Sequence, residues 1–369
     1  MAEAFIREAA YDYRQLKPAF FTIMEKLAGD KIKSGCRVLI KPNMLSAAVP
    51  EDGILTHPLI IKAAVEYVLA KGARPQVSDS PAIGSFAHII KMNKIDEALA
   101  GLDVVCSPFK NTALTDIGPP YGKIEIARDA VEADAIINLP KLKTHTQMLL
   151  TLAVKNMFGC VVGFKKAQWH MRAGTDTDAF ARLLIAVHQA VKPTVSILDG
   201  ILALEGEGPG RGGKPRHIGI IMGSDDSFAL DMAVCQMLGI SYKSAPVLKN
   251  ALEIGILPGC EVKGSLPRVM NFQLPPSSGL IWGPRFLHNF MRRHTTAIPV
   301  CADSLCEMCS QCWVLCPAKA IEELAEKIKF DYKKCIRCYC CIEICPYGAL
   351  HTRETIGGKI TRRLMEKFS

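Results

Sequence analysis

Short apolar runs alternate with helical patterns over the first 260 residues. The runs at 37–41 (RVLIK), 76–78 (QVS), 103–106 (DVVC), 135–139 (AIINL), 194–198 (TVSIL) and 217–222 (HIGIIM) read as buried strands. Between them, Thr56 is placed to cap a helix that carries Ile61, Val65 and Val68 on one face and stops at Gly72. Phe180, Leu183, Leu184, Val187 and Val191 recur at helical spacing over 178–191. Strands alternating with helices predict an α/β domain with a layered, mostly parallel sheet over residues 1–260.

The pattern changes after residue 260. Residues 261–300 contain Pro267, Pro275, Pro276, Pro284 and Pro299 together with Trp282, Phe286 and Phe290. They read as a linker that packs partly against both neighbours, with a membrane-surface or partner-docking helix at 283–294 as an option. Residues 301–350 form a small α+β module, and 351–369 form a basic tail with a short surface helix.

Size and composition are those of a globular protein: 369 residues, 49% hydrophobic and 22% charged. The N-terminal stretch MAEAFIREAAYDYRQLK has no basic segment leading into an apolar run, and no run of 18 apolar residues occurs. A cytoplasmic protein without a transmembrane segment is the expectation. The net charge is +9, and from residue 261 onward 16 Lys and Arg stand against 10 Asp and Glu. That excess reads as compensation for negatively charged thiolate clusters. No nucleic-acid-binding motif accompanies it, so no nucleic-acid partner is expected.

Ten of the fifteen cysteines lie between Cys301 and Cys345. The segments CEMCSQCWVLCPAKAI and CIRCYCCIEICPYGAL superpose with a shift of 29 residues, including Pro317 on Pro346 and Ala320 on Ala349. The spacing C-x2-C-x2-C-x3-C-P thus occurs twice. Three close cysteines on a tight loop reach three irons of a cube, and the cysteine before proline serves the other cluster. Cys306, Cys309, Cys312 and Cys345 are therefore assigned to one [4Fe-4S] cluster, and Cys335, Cys338, Cys341 and Cys316 to a second. Zinc ribbons use paired C-x2-C units instead. Clusters of this kind work at low potential, on the order of −400 mV. Cys301 and Cys340 fall outside the spacing, and Cys340 reads as a buried bystander. Cys36, Cys106, Cys160, Cys235 and Cys260 read as small core residues.

Polar groups gather in loops at the ends of the expected strands. They are Lys41-Pro42-Asn43, Thr56-His57-Pro58, Asp79-Ser80-Pro81, the stretch from Asn138 to His145 with Lys141 and Lys143, and Lys155-Asn156 with Gly159. Open α/β sheets bind ligands at the carboxyl ends of their strands. Lys41, Asn43, Asp79, Lys141, Lys143 and Asn156 are the expected anion pocket. His145 and Lys155 are the candidates for proton transfer. GPGRGG at 208–213 spells G-x-G-x-x-G, but a strand follows it and Pro215 intervenes, so it reads as a flexible loop.

The blocks VLIKPN, THP, KGA, SDSP, INLPKLKTH, LAVKNMFG, LDGI and EGEGPG, in that order over about residues 35–260, resemble the family called domain of unknown function 362. Members of that family often carry a C-terminal two-cluster ferredoxin module, so the resemblance implies this architecture and leaves the activity open. The chain is also distantly similar to the nickel-pincer lactate racemases, which are α/β proteins. Those place a histidine ten residues before a cofactor-bearing lysine, as His145 stands before Lys155, with Gly159 following. The racemases' paired glycines before the lysine are Leu152-Ala153-Val154 here, which favours Lys155 as an anion-binding or acid/base group.

Two readings of function follow. In the first, the chain is an iron–sulfur oxidoreductase that exchanges electrons between a redox protein partner and an anionic small molecule over the N-terminal sheet. A flavin or another redox cofactor would join one-electron relays to two-electron chemistry, although no flavin motif is visible. In the second, it is a non-catalytic electron-transfer or adapter subunit of a redox complex.

Overall fold

The computed structural model describes residues 1–163, 165–174, 176–275, 291 and 294–360. The expected docking helix at 283–294 and the last nine residues of the tail lie mostly or wholly outside these.

Sixteen strands are described. The large sheet holds β1 (Ala2–Glu8), β2 (Arg37–Pro42), β3 (Arg74–Val77), β4 (Val105–Cys106), β7 (Ala135–Leu139), β8 (Lys141–His145), β9 (Leu149–Thr151), β10 (Val195–Gly206), β11 (Gly213–Ser224) and β12 (Cys260–Lys263). A side hairpin pairs β5 (Thr112–Asp116) with β6 (Lys123–Ala127). The C-terminal module adds β13 (Ile298–Cys301), β14 (Ile321–Leu324), β15 (Lys327–Phe330) and β16 (Leu350–Arg353). The main sheet runs in the order β12-β1-β11-β10-β7-β2-β3-β4. It is parallel from β10 to β4, as the strand–helix alternation requires. The β10–β11 hairpin and the β1–β11 pair are antiparallel.

The sheet is covered on both faces, and alternation along its strands divides the core in two. Leu39, Ile136, Leu198, Ile220 and Met222 face a core that includes Phe180, Leu184 and Val187 of helix Thr177–Val191. Val38, Ile40, Ile137, Ile197 and Ile221 face the opposite core with Leu16, Phe20 and Ile23 of helix Tyr13–Ala28 and Ile61, Val65 and Val68 of helix Pro58–Ala70. Adjacent residues of a strand point to opposite faces, so near-continuous apolar runs serve both layers.

Several local expectations change. Helix Pro58–Ala70 is capped by His57, whose Nδ1 accepts the Leu59 N–H at 3.2 Å, and not by Thr56. Pro58 fits the first helical position, where its missing N–H costs no hydrogen bond. The Thr56 hydroxyl instead donates to the Leu139 carbonyl at 2.7 Å. The sheet also passes the expected boundary at 260: β12 pairs parallel with β1, and Leu266, Val269 and Phe272 pack against the core. Cys160 and Cys235 are buried core residues, whereas Cys106 is exposed and Cys36 and Cys260 are half-buried.

Residues 208–213 form a loop followed by a strand, with no helix opening from the glycines. They turn the long β10–β11 hairpin against the C-terminal module, where a Cβ on Gly210 would stand 2.9 Å from the Glu343 carbonyl oxygen. The module itself closes on β13–β16, with Ile298 opposite Arg353. It docks beside the hairpin through Glu207, which accepts the Thr352 N–H at 2.9 Å and the Thr352 hydroxyl at 3.1 Å. No helix among the described residues is long and apolar enough to cross a membrane.

Candidate functional site

The segment expected as a polar loop around Lys141 and Lys143 is a strand. Pro140 separates β7 from β8, and both run parallel to β10, which pairs with β7 at its start and with β8 further along. Every residue of β8 is buried. Lys141 therefore points into a closed polar knot. Its Nζ lies 2.8 Å from Asp199 Oδ2 and donates to the Tyr11 hydroxyl at 2.9 Å, and that hydroxyl donates to Asp199 Oδ1 at 2.7 Å. The Lys143 Nζ donates to the Ile54 carbonyl at 2.9 Å, and burial with Lys155 nearby pulls its pKa down to about 7. Neither lysine is among the residues that line the cavity at the strand ends.

A cavity of about 410 Å³ does open at the carboxyl ends of β2 and β3. Lys41, Asn43, Asp79, Lys155 and Asn156 all line it, as does Gly159. The opposite wall is the C-terminal module: Leu315, Cys340, Glu343 and Ile344. Helix Cys340–Ile344 thus presents one side to this cavity while Cys341 belongs to the cysteine cluster behind it. Cys340, outside the ligand spacing, lines this cavity.

The charges inside the cavity are unequal in kind. Lys41 and Asp79 form a buried pair at 2.8 Å. Asp79 also accepts the Met44 and Ser80 N–H groups at 2.9 and 2.8 Å, so this pair is fully engaged. Gly159 lets the pair sit there, because a Cβ would stand 2.5 Å from Asp79 Oδ1 and 2.6 Å from Lys41 Nζ. Lys166 donates to the Ser80 carbonyl, and burial lowers its pKa to about 8. Lys155 has no hydrogen-bond or ion-pair partner among the described residues. Burial lowers its pKa, opposed by Glu343 and Cys340. Its helix, Ala153–Asn156, is held by Asp231, which accepts the Ala153 and Val154 N–H groups at 2.8 and 3.2 Å.

His145 does not face the cavity. Its Nδ1 accepts the Gln147 and Met148 N–H groups at 3.1 and 3.2 Å, which leaves the proton on Nε2. Nε2 meets Glu343 Oε1 at 2.8 Å. Burial, reinforced by Lys155, holds His145 near 4, so it is neutral at pH 7. Burial raises the Glu343 carboxyl, but His145, Lys155 and His170 outweigh this and bring it to about 2. The histidine that does line the cavity is His170, 7% exposed and packed against Phe158 and Phe180. Burial takes its pKa to about 3.

Sequence reading missed Lys166, His170 and Glu343. Lys166 and His170 are four apart on helix Lys165–Ala173, a spacing that puts them on one face and could have flagged them. Glu343 sits inside the cysteine motif, where the ligand spacing absorbs all attention.

The eight motif cysteines line two further small cavities. One is bounded by Cys306, Cys309, Cys312 and Cys345, the other by Cys316, Cys335, Cys338 and Cys341. The Ala320 and Ala349 N–H groups point at Cys316 Sγ and Cys345 Sγ, each at 3.3 Å. Four thiols around a space with backbone donors to sulfur suit an iron–sulfur cube, whose thiolates accept such bonds.

The comparisons agree with this architecture. Residues 38–236 match the family described as Domain of unknown function (DUF362), and residues 328–351 match the 4Fe-4S binding domain. The thylakoid-associated protein sll1697 of Synechocystis sp. is 36% identical over 257 residues, covering 69% of this chain and 80% of that protein. The lactate racemase apoprotein from Thermoanaerobacterium thermosaccharolyticum aligns over 63% of this chain and 56% of its own, with a TM-score of 0.37 and 12% identity, too weak to carry an argument. The fold and the site define an α/β protein with an iron–sulfur electron-transfer module. The chain belongs to the DUF362 family and carries a fused 4Fe-4S domain.

Proposed function

We propose that the chain is a ferredoxin-fused redox protein in which two [4Fe-4S] clusters exchange electrons with an anionic small molecule held between the two modules. Cys306, Cys309, Cys312 and Cys345 hold one cluster, and Cys335, Cys338, Cys341 and Cys316 hold the other. A soluble redox protein loads or drains them from the module's outer face.

One observation carries this reading. The cavity is walled on one side by the family domain, with Lys155 unpaired, and on the other by the helix that contains Cys341. A molecule there lies within a residue or two of a cluster ligand. An adapter subunit has no need of an unpaired lysine facing a cavity shared by both modules.

The test uses anaerobically purified, cluster-loaded protein. Thermal stability is measured with a panel of anionic metabolites and nucleotides, on wild type and on Lys155→Met. At least one compound is expected to raise the Tm of wild type and not of the variant. Equal responses, or none at all, would favour the adapter reading.

A further inference from the structure

The two half-modules repeat in backbone as well as in spacing. Met308 and Arg337, equivalent under the shift of 29 residues, both take left-handed φ, at 47° and 52°. Ser310 and Tyr339 do the same at 68° and 57°. Two cysteine sites built alike therefore differ chiefly in what surrounds them.

The site bounded by Cys316, Cys335, Cys338 and Cys341 is enclosed. None of the residues that line it is exposed. Tyr339, 4% exposed, is one of them, and its hydroxyl donates to the Ala297 carbonyl at 2.8 Å. The adjoining helix Cys340–Ile344 is turned to the family domain, with Glu343 meeting His145 at 2.8 Å. Of the module residues that line the inter-module cavity, Leu315 and Cys340 adjoin cysteines of this set, and Ile344 adjoins Cys345 of the other.

The site bounded by Cys306, Cys309, Cys312 and Cys345 reaches the surface. Glu307 and Tyr347 line it and both are exposed, Tyr347 at 50%. The residue equivalent to Glu343 in helix Gln311–Val314 is Val314, which is 69% exposed. Leu305, beside Cys306, is exposed as well. Electron transfer weakens steeply with distance, so an outside protein is served by the cluster whose walls it can touch.

Charge selects the partner. Residues 303–328 hold Asp303, Glu307, Glu322, Glu323 and Glu326 against Lys319 and Lys327, all exposed, in a chain of net charge +9. The acidic hairpin stands beside the open site: Ile328 lines that site, Glu323 lies opposite Ile328 across β14–β15, and Lys327 reaches Asp303 at 3.1 Å. Apolar contacts within a negative rim favour a basic protein and repel an acidic one.

We propose that the cluster held by Cys306, Cys309, Cys312 and Cys345 is the port for an external redox protein with a basic contact surface, docking over Glu307, Val314 and Tyr347. The enclosed cluster then serves the cavity side. This rests on the reading that the clusters join a redox partner to the cavity, and it names the face and the charge of that partner. At the port one electron passes between a cluster and the partner's redox centre, and no bond is made or broken.

The experiment mixes full-length, cluster-loaded, photoreduced protein anaerobically with ferric cytochrome c, a basic haem protein, and with its succinylated form, whose lysines have become acidic. Native cytochrome should be reduced at least about tenfold faster at low salt, and the gap should close near about 0.5 M salt, where exposed charges are screened. The double variant Glu307→Lys, Glu323→Lys should close the gap as well, while Glu97→Lys on helix Ile95–Leu99 of the family domain leaves it open. Redox-inert zinc cytochrome c, added to the oxidised protein, should slow amide hydrogen exchange in peptides covering 303–314 and 321–330. Equal rates for the two cytochromes at low salt, protection only on other faces, or no protection at all overturns the proposal. Protection of the same peptides before cytochrome is added, lost on dilution, would assign the face to a second copy of the chain and overturns it too. The wild-type measurements require no variant to fold. A cavity that binds no anionic compound would remove the inner destination of the electrons and leave the port as measured. Equal cytochrome rates beside a ligand-binding cavity would sink the port alone.

Discussion

His145 Nε2 stands 2.8 Å from Glu343 Oε1, joining the end of β8 in the family domain to the helix between two cluster cysteines. With Glu207 on Thr352, it fixes how the two modules face each other. Glu343→Ala should leave iron content unchanged but loosen the docking. Faster proteolysis between residues 264 and 297, with unchanged cluster absorbance, is the expected outcome. Because His145 is neutral, its loss costs one hydrogen bond to a charged group, about 1.5–3 kcal/mol.

The proposed crossing of ligands between half-modules has a non-additive signature. Cys345→Ser should lower iron from about eight to about four atoms per chain. Adding Cys306→Ser should remove little more, because both residues line the same cavity. Adding Cys335→Ser instead should remove nearly all of it, because Cys335 lines the other. Iron analysis of the two double variants decides the assignment, and similar values in both would refute it.

The buried lysines should respond oppositely to the same change. Lys141→Met strands the fully buried Asp199 carboxylate and should cost about 3–5 kcal/mol. Lys155→Met removes an unpaired amine whose charged form burial disfavours, and should leave stability unchanged or raise it. Denaturant unfolding of the two variants beside wild type measures this contrast.

Gly159→Ala should break the Lys41–Asp79 pair by steric conflict, since the new Cβ has no room beside either charged group. A loss of about 1–3 kcal/mol is expected from overpacking. The check is the urea midpoint at an unchanged slope.

Acid should unfold the protein before its carboxylates are fully titrated. Burial lowers His57, His145 and His188 from 6.5 to about 4 and His170 to about 3. An unfolded chain takes up these protons near pH 6.5 and the folded chain does not. Their contribution to stability is thus complete above about pH 6.5 and is lost progressively as pH falls toward 4. His188 has neither ring nitrogen hydrogen-bonded and packs on Phe228 at 5.2 Å. His188→Phe should therefore flatten the stability profile between pH 6.5 and 4. An unchanged slope would show that His188 does not contribute to it.

The cluster module was legible from the chain because its chemistry is local. Three cysteines of each motif lie within seven residues, and the fourth is marked by the proline that follows it. The layered α/β fold was legible because apolar runs and helical periods record burial directly. The strands at 37–42 and 135–139 lie where the runs placed them. β1 was not legible: AEAFIRE is half polar and lies at a position where only pairing with β11 and β12 makes it a strand.

The cavity was legible as a set of residue types and not as a place. Lys141, Lys143 and Lys155 look alike along the sequence, but Lys141 and Lys143 are fully buried and Lys155 is half-buried. Whether each meets a carboxylate, a carbonyl or an open cavity depends on Asp199, Ile54 and Glu343, which lie 58, 89 and 188 residues away from them. The sequence by itself determined the presence of the iron–sulfur module and the layers of the sheet, because spacing and periodicity are properties of a short stretch. Only the tertiary structure decided which lysine is left without a partner and that a wall of the cavity comes from the cluster module. Pairing and desolvation of a charge are properties of its surroundings, and here those are assembled from both ends of the chain.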